Sequence, residues 1–211
     1  MKILAAFLCL TVIATTATAE LPAIFTGRDL SGWKAPENNI WWKVDSGVLH
    51  VQSGPDKKGQ TLWTEKEYKN FIMQFDFQYG KGTVDTGIYV RNSKEQIQIG
   101  MSGSLKRDLT ASPYIAGKGY PVEAAPGFAK LSTDQLKPGK SPGIEKIIKK
   151  DDWNSMTIIA IGKNYTVYLN GQYVMSYDSE SAPAKGPVGI QLHGNRDMSC
   201  AYRNIRLQEL H

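Results

Sequence analysis

Three short segments of the chain alternate polar with apolar residues, which is the pattern of a strand with one buried face. Their polar members are Tyr89, Arg91, Gln96, Gln98, Gln191 and His193. Because successive strand residues point to opposite faces, these six side chains are predicted to share one outer sheet face. Amide and guanidinium groups offer donors and acceptors in planar geometry, which suits sugar hydroxyls. The outer face of a β-sandwich is commonly polar, so parity alone leaves both interpretations open.

Aromatic side chains add to the case for a sugar-binding surface. Tyr89, Trp63 and Tyr114 could each present a ring face on which a sugar stacks. Aromatic residues of a β-rich protein also fill its core, and Trp33, Trp41 and Trp153 are assigned there.

The elements that would position these groups are almost all strands, because period-two patterns dominate and no segment predicts an amphipathic helix. The predicted strands are 42–44, 48–52, 71–78, 87–91, 96–99, 156–161, 165–169, 172–176, 188–193 and 201–207. Asn170-Gly171 tolerates the positive φ of a type I′ turn and predicts a hairpin. Residues 100–152 lack this alternation and are too long for an ordinary connection between strands. They predict an ordered flap, with a helical turn only within 141–150. Many short strands with turns between them indicate an all-β sandwich or barrel.

Composition and a predicted signal peptide indicate the number of domains, the localisation and which kinds of covalent or metal cross-link are excluded. The chain has 211 residues, 41% of them hydrophobic and 21% charged, which suits a single globular domain. Residues 1–19 read as a signal peptide cleaved after Ala19, which leaves one domain at 20–211 and predicts a periplasmic or secreted protein without stable membrane insertion. Only Cys200 then remains, so an intramolecular disulfide is excluded. The three histidines of the remaining chain are far apart in sequence, which excludes a zinc motif of the helix-spaced type.

The basic charge of the chain is concentrated in the predicted flap. Residues 101–150 carry nine Lys or Arg residues against four Asp or Glu residues. These basic residues are scattered among Gly and Pro, and no cluster of aromatic residues accompanies them on which the bases of single-stranded nucleic acid could stack. A nucleic-acid partner is therefore not expected.

An ordered set of motifs resembles the bacterial 3-keto-disaccharide hydrolase domain family, also described as 3-keto-glucoside lyase and hydratase. The motifs are IFTGRDLSGW (24–33), WKVDSGVL (42–49), TGIYVR (86–91), QIQI (96–99), DWN (152–154), GPVGIQLHG (186–194) and YRNI (202–205). Three residues in two motifs depart from the family pattern: Gln96 stands where the family commonly has Glu, and Asp85-Thr86 stands where it has Asn-Ser. The resemblance implies a concanavalin A-like jelly roll of two antiparallel sheets, with the flap over the concave face and a carbohydrate partner.

The resemblance also implies a reaction. A ketone at carbon 3 acidifies the proton on carbon 2, so a base can form an enolate that expels the glycosidic oxygen from carbon 1, and water then adds back. His193 is the first choice as base or acid, with Asp108 and Tyr114 completing the acid-base set. Arg91 or a divalent metal would hold the enolate oxygen. The other implied contacts to substrate are Tyr89, Gln96, Gln98, Gln191, Trp63 and Lys106. The loss of a carboxylate at Gln96 keeps a non-catalytic, lectin-like module open as the alternative.

Overall fold

The computed structural model describes residues 20–140 and 142–211. The predicted signal peptide, residues 1–19, lies outside the described residues. Across the part of the chain that is described, no helix combines the length and apolar character needed to cross a membrane.

The described residues form thirteen strands and two short 3₁₀ helices. The strands are β1 (Trp33–Lys34), β2 (Trp42–Asp45), β3 (Val48–Gln52), β4 (Gln60–Tyr68), β5 (Asn70–Gly82), β6 (Asp85–Val90), β7 (Glu95–Gly100), β8 (Pro113–Ile115), β9 (Asn154–Ile161), β10 (Asn164–Leu169), β11 (Gln172–Asp178), β12 (Gly186–Leu192) and β13 (Met198–Leu210). The 3₁₀ helices are Phe128–Lys130 and Ile144–Lys146. The second confirms the helical turn predicted within 141–150, whereas the first lies in a part of the flap where no helical turn was predicted. Sequence patterns missed β1, β4 and β8.

Two antiparallel sheets pack against each other, which confirms the predicted all-β sandwich. One sheet has six strands in the order β1-β4-β12-β6-β7-β8, and the other has seven in the order β11-β10-β9-β5-β13-β3-β2. One apolar cluster fills the space between them. Strand β5 shows why: Phe71, Met73, Phe75 and Phe77 are buried, whereas Gln74 on the opposite face is exposed.

The hairpin between β10 and β11 turns at Asn170-Gly171, as predicted. Both residues have positive φ, at 49° and 77°, which a type I′ turn requires. Asn170 adds side-chain bonds from its amide nitrogen to the carbonyl oxygen of Ile147 (2.7 Å) and to Oδ1 of Asn154 (2.9 Å). The turn therefore also anchors the end of the flap.

The predicted flap, described at residues 100–140 and 142–152, contains buried polar contacts of its own. Arg107 forms an ion pair with the buried carboxylate of Glu123. The same carboxylate accepts a hydrogen bond from the backbone nitrogen of Gly139 at 2.8 Å. The flap reaches the seven-stranded sheet where the backbone nitrogen of Ala125 donates to the carbonyl oxygen of Val174 at 2.9 Å. These contacts hold the flap against the sandwich, where it forms a wall of the cavity described below.

Buried phenols predict a loss of stability in alkali. Burial raises the pKa of Tyr165, Tyr202 and Tyr120 above the ordinary phenol value, and raises the pKa of the Cys200 thiol to about 12. Above about pH 10 the unfolded chain therefore loses phenolic protons that the folded protein keeps, and the free energy of unfolding falls. Each such phenol should contribute about 1.4 kcal/mol of loss per pH unit. Denaturant unfolding between pH 8 and 12, followed together with tyrosinate absorbance, measures this; stability that does not change above pH 10 would contradict it.

Candidate functional site

Two adjoining cavities lie on the outer face of the six-stranded sheet. One, of about 510 Å³, contains the ring of Trp63 and is called the Trp63 cavity. The other, of about 490 Å³, is closed on one side by flap residues and is called the flap cavity. Tyr89, Gln191 and His193 line both cavities, so these three residues form a shared wall between them.

Strand register explains why the polar residues meet on this face. One row of neighbours runs Trp63, Gly189, Tyr89, Gln96, Tyr114 across five strands. The next row runs Thr61, Gln191, Gly87, Gln98. Residues in register across a sheet point to the same face, so the parity prediction is confirmed for the tyrosine and the three glutamines.

Two glycines let large side chains lie flat on the sheet. A Cβ at Gly189 would lie 2.6 Å from the Trp63 ring, and a Cβ at Gly87 would lie 2.9 Å from Oε1 of Gln96. Because Gly189 has no side chain, Trp63 crosses it and stacks on Tyr89, with ring centroids 5.4 Å apart and 20° between planes. The stacked pair extends from the Trp63 cavity to the shared wall.

A row of buried amides forms the floor of the flap cavity. Nε2 of Gln98 donates to Oδ1 of Asp85 at 3.0 Å, and Oε1 of Gln98 accepts from Nε2 of Gln96 (3.2 Å) and from the Tyr120 hydroxyl (3.1 Å). Asp85, Gln98 and Gln96 are 3%, 1% and 5% exposed. Nε of Arg196 completes the row by donating to Oδ2 of Asp85 at 3.2 Å.

The amide row includes functional candidates that sequence reasoning missed. Asp85 shares the parity of Gly87 and Tyr89 on β6, so the same alternation could have placed it on this face. Arg196 lies in the loop between β12 and β13, where no periodic signal exists. Tyr120 belongs to the flap, whose path the sequence does not reveal.

The shared wall offers a protonated phenol and unpaired acceptors. Nε2 of Gln191 donates to the Tyr89 hydroxyl oxygen at 2.8 Å, which leaves the phenol proton of Tyr89 available for another acceptor. Burial raises the pKa of Tyr89, so the phenol keeps its proton at neutral pH. The side-chain oxygens of Gln191 and Gln96 are buried and have no hydrogen-bond donor among the described residues. An acceptor in that state costs about 1–3 kcal/mol unless a ligand or water supplies the donor.

His193 presents a basic nitrogen beside this phenol. Its Nδ1 lies 2.7 Å from the carbonyl oxygen of Gly194, and a carbonyl can only accept, so the proton resides on Nδ1. Nε2 of the neutral ring therefore carries the lone pair. Tyr114 faces the same flap cavity and packs edge-on against Tyr120, with centroids 5.3 Å apart.

The predicted outward orientation of Arg91 is wrong. Strand β6 ends at Val90, and Arg91 takes a positive φ of 65°, which breaks the alternation on which the prediction depended. Its guanidinium is buried and donates to the carbonyl oxygens of Gly162 (2.7 Å), Pro183 (3.1 Å) and Ala160 (3.1 Å). Arg91 thus ties the six-stranded sheet to the seven-stranded one and lies outside both cavities.

Asp108 and Lys106 also lie outside the two cavities, although both were expected at the site. The Asp108 carboxylate accepts from the Tyr79 hydroxyl at 3.0 Å and from the backbone nitrogen of Thr110 at 2.9 Å. Lys106 is exposed in a turn with φ of 57°. The flap bonds its own backbone through Asp108 and presents Ser102, Tyr114 and Tyr120 to the cavity in its place.

The residues present do not fit a resident divalent metal. Within residues 20–140 and 142–211, no group of three or more His, Cys, Asp or Glu side chains is placed to hold one. His193 and Asp85 are the cavity residues of these types, and Asp85 is already paired with Arg196. One imidazole and one neutralised carboxylate make a poor donor set for such an ion.

Comparison with solved structures places the fold among carbohydrate-related and lectin-like sandwiches. A candidate glycosyl hydrolase from Parabacteroides distasonis ATCC 8503 superposes with a TM-score of 0.60 at 22% identity, covering 88% of this chain and 98% of that one. The carbohydrate-binding module CBM66 from Bacillus subtilis gives 0.56 at 14% identity, covering 84% and 96%. A Bacillus subtilis protein of unknown function with a galectin-like fold gives 0.50 at 12%, covering 88% and 94%. These likenesses establish the jelly-roll fold.

Comparison with curated protein sequences finds no significant match. A family comparison does find one, over residues 21–208, and the matching family is described as the 3-keto-alpha-glucoside-1,2-lyase-like domain. This match agrees with the motif resemblance and spans nearly all of the described sandwich. The chain belongs to the 3-keto-alpha-glucoside-1,2-lyase-like domain family.

Proposed function

We propose that this protein cleaves 3-keto-glycosides by elimination followed by hydration. The observation that carries the proposal is the shared wall, where His193, whose Nε2 has the free lone pair, and Tyr89, whose hydroxyl oxygen already accepts from Gln191, line the same two cavities. Family membership supports a carbohydrate substrate. Among the described residues, Asp85 is the one carboxylate that lines the cavities. Direct glycoside hydrolysis uses a pair of carboxylates, so this site suits elimination better.

The proposed reaction assigns separate roles to His193, Tyr89 and Tyr114. His193 Nε2 removes the proton from carbon 2, and the electron pair of that bond forms the enolate, whose oxygen Tyr89 stabilises by donating its hydrogen bond. The enolate re-forms the ketone as the bond between carbon 1 and the glycosidic oxygen breaks. Tyr114 protonates the departing oxygen. Water then adds at carbon 1 and gives one of its protons to the Tyr114 phenolate, and carbon 2 takes up a proton from His193 after that proton has exchanged with solvent.

Isotope incorporation tests this function directly. A 3-keto-glucoside treated with the protein in deuterated water should give 3-keto-glucose that carries deuterium at carbon 2, because the removed proton exchanges with solvent. The matching unoxidised glucoside should stay intact, since its carbon-2 proton is not acidic. Mass spectrometry of the product measures both. Product without deuterium would indicate direct displacement and would overturn the elimination.

A carbohydrate-binding module is the alternative, favoured by the stacked aromatic pair and by the single, neutralised carboxylate. Such a module would bind oxidised and unoxidised glucosides alike without consuming either. Calorimetric binding combined with an absence of product over a long incubation would support it.

The stacked tryptophan leads to a prediction for either function. Trp63→Ala should weaken carbohydrate binding by about 10-fold, because loss of a stacking face costs on the order of 1 kcal/mol or more. Trp63→Phe should retain most of the affinity, since a ring remains over Gly189. Titration calorimetry measures both. Equal affinity in Trp63→Ala and the unmodified protein would remove Trp63 from the binding surface.

A further inference from the structure

We propose that Asp85, Gln98 and Gln96 form a polarity relay that makes the side-chain oxygen of Gln96 an obligatory acceptor for a substrate hydroxyl. The inference rests on the proposed function for the identity of the ligand, a hydroxyl-rich keto-sugar. Gln96 would contact the ligand and help to determine specificity. Asp85 and Gln98 would be positioning residues that act through Gln96.

The direction of the relay follows from what each group can do. A carboxylate accepts and cannot donate, so the NH₂ group of Gln98 must face Asp85 and its oxygen must face Gln96. That oxygen in turn requires the NH₂ group of Gln96, at 3.2 Å. The end of the row that remains is Oε1 of Gln96, which is buried without a donor in the described part of the chain. Because Gln96 lines the flap cavity, a hydroxyl of a ligand bound there could supply the missing donor.

Arg196 makes the relay sensitive to the residue at position 85. Its guanidinium only donates, and it is bonded to Oδ2 of Asp85. In Asp85→Asn the single oxygen would stay with Arg196, and the new NH₂ group would face Gln98. The side-chain amide of Gln98 would then have to flip, and that of Gln96 would flip after it. Gln96 would present its NH₂ group, a donor, to the flap cavity, where it now presents an acceptor.

The relay also specifies which second change would compensate for Asp85→Asn. With Glu at 96 and Asn at 85, the NH₂ group of Gln98 would face position 96, and a glutamate oxygen would still offer an acceptor there. The double variant would therefore keep the polarity of the cavity unchanged.

A double-mutant cycle tests the relay without any ligand. Gln96→Glu should lower the midpoint of thermal unfolding, because carboxylates then stand at both ends of Gln98 and one of them must face its side-chain oxygen. Asp85→Asn should lower the midpoint less, because Gln98 and Gln96 can flip and stay paired. In the double variant Gln98 is again satisfied at both ends, so at least half of the Gln96→Glu loss should be recovered. Losses that simply add would overturn the relay, whatever the protein's activity.

The ligand part is tested with methyl 3-keto-α-glucoside. Asp85→Asn should raise KM about 10-fold or more with a smaller change in kcat, and adding Gln96→Glu should restore KM to within about threefold. Asp76→Asn is the matched control: Asp76 also accepts from an arginine Nε at 3.2 Å but lies on the other sheet, so its KM should not change. An unrestored KM in the double variant would overturn the proposal.

If the unmodified protein does not turn the compound over, the proposed function fails. The relay then stands only if the dissociation constants of the variants follow the order expected for KM.

A second variant covers the case in which Asp85→Asn does not fold. Gln96→Met removes the unpaired oxygen at similar volume and leaves Asp85, Arg196 and the Tyr120 bond to Gln98 in place. It should raise KM by a similar factor without lowering the unfolding midpoint, since the change removes a buried, unpaired acceptor and creates no new one. An unchanged KM in this variant would exclude a contact between Gln96 and the ligand.

Discussion

Replacement of His193 by asparagine should lower kcat for a 3-keto-glucoside at least ~100-fold, the usual size of a general-base contribution. Asparagine keeps a polar side chain on the shared wall but has no group that takes up a proton near neutral pH. Steady-state kinetics of the variant and the unmodified protein at neutral pH measure this loss.

Asp108→Asn is the informative comparison for this prediction. The Asp108 carboxylate is bonded to Tyr79 and to the flap backbone and lies outside both cavities, so its replacement should change kcat little. The reverse result, with full activity in His193→Asn and a large loss in Asp108→Asn, would assign the base to the flap. Near-full activity in both variants would remove both residues from catalysis.

Replacement of Arg91 by methionine should destabilise the protein by about 3 kcal/mol and leave KM unchanged. Arg91 is 2% exposed, and its guanidinium donates to three backbone carbonyl oxygens, each of which would lose this bond. Each buried group left unpaired costs about 1–3 kcal/mol, and methionine regains part of this by filling the space over Phe71. For a chain of this length the unfolding midpoint should fall by about 6–12 °C.

Arg203→Met provides the control for the arginine prediction. Arg203 lies over the Trp153 ring at 4.0 Å and pairs with Asp76, but its side chain is 40% exposed, so the loss should be about 1 kcal/mol or less. Scanning calorimetry measures both midpoints, and KM is measured well below them. A raised KM in Arg91→Met with an unchanged midpoint would return Arg91 to the substrate, as its sequence position had suggested.

The sequence alone determined the strand pattern and therefore the fold class. Alternation along β5 buries Phe71 and Phe75 and exposes Gln74 because side chains repeat every two residues on a strand. The same rule placed Tyr89, the three glutamines and their neighbours on one face, and Asn170-Gly171 marked the hairpin because few residues tolerate positive φ. These features depend on local geometry, which residue types specify directly.

The tertiary structure alone decided which polar groups meet. Arg91 has the residue type and the parity of a site residue, yet one positive φ after β6 turns it toward carbonyl oxygens of the opposite sheet. Asp85 and Arg196 are 111 positions apart and meet only because β12 and β6 are neighbours in the sheet. The direction of the amide row depends on that contact, since a carboxylate can only accept. A hydrogen-bond direction set by a distant partner has no periodicity, and therefore it leaves no signal in the sequence.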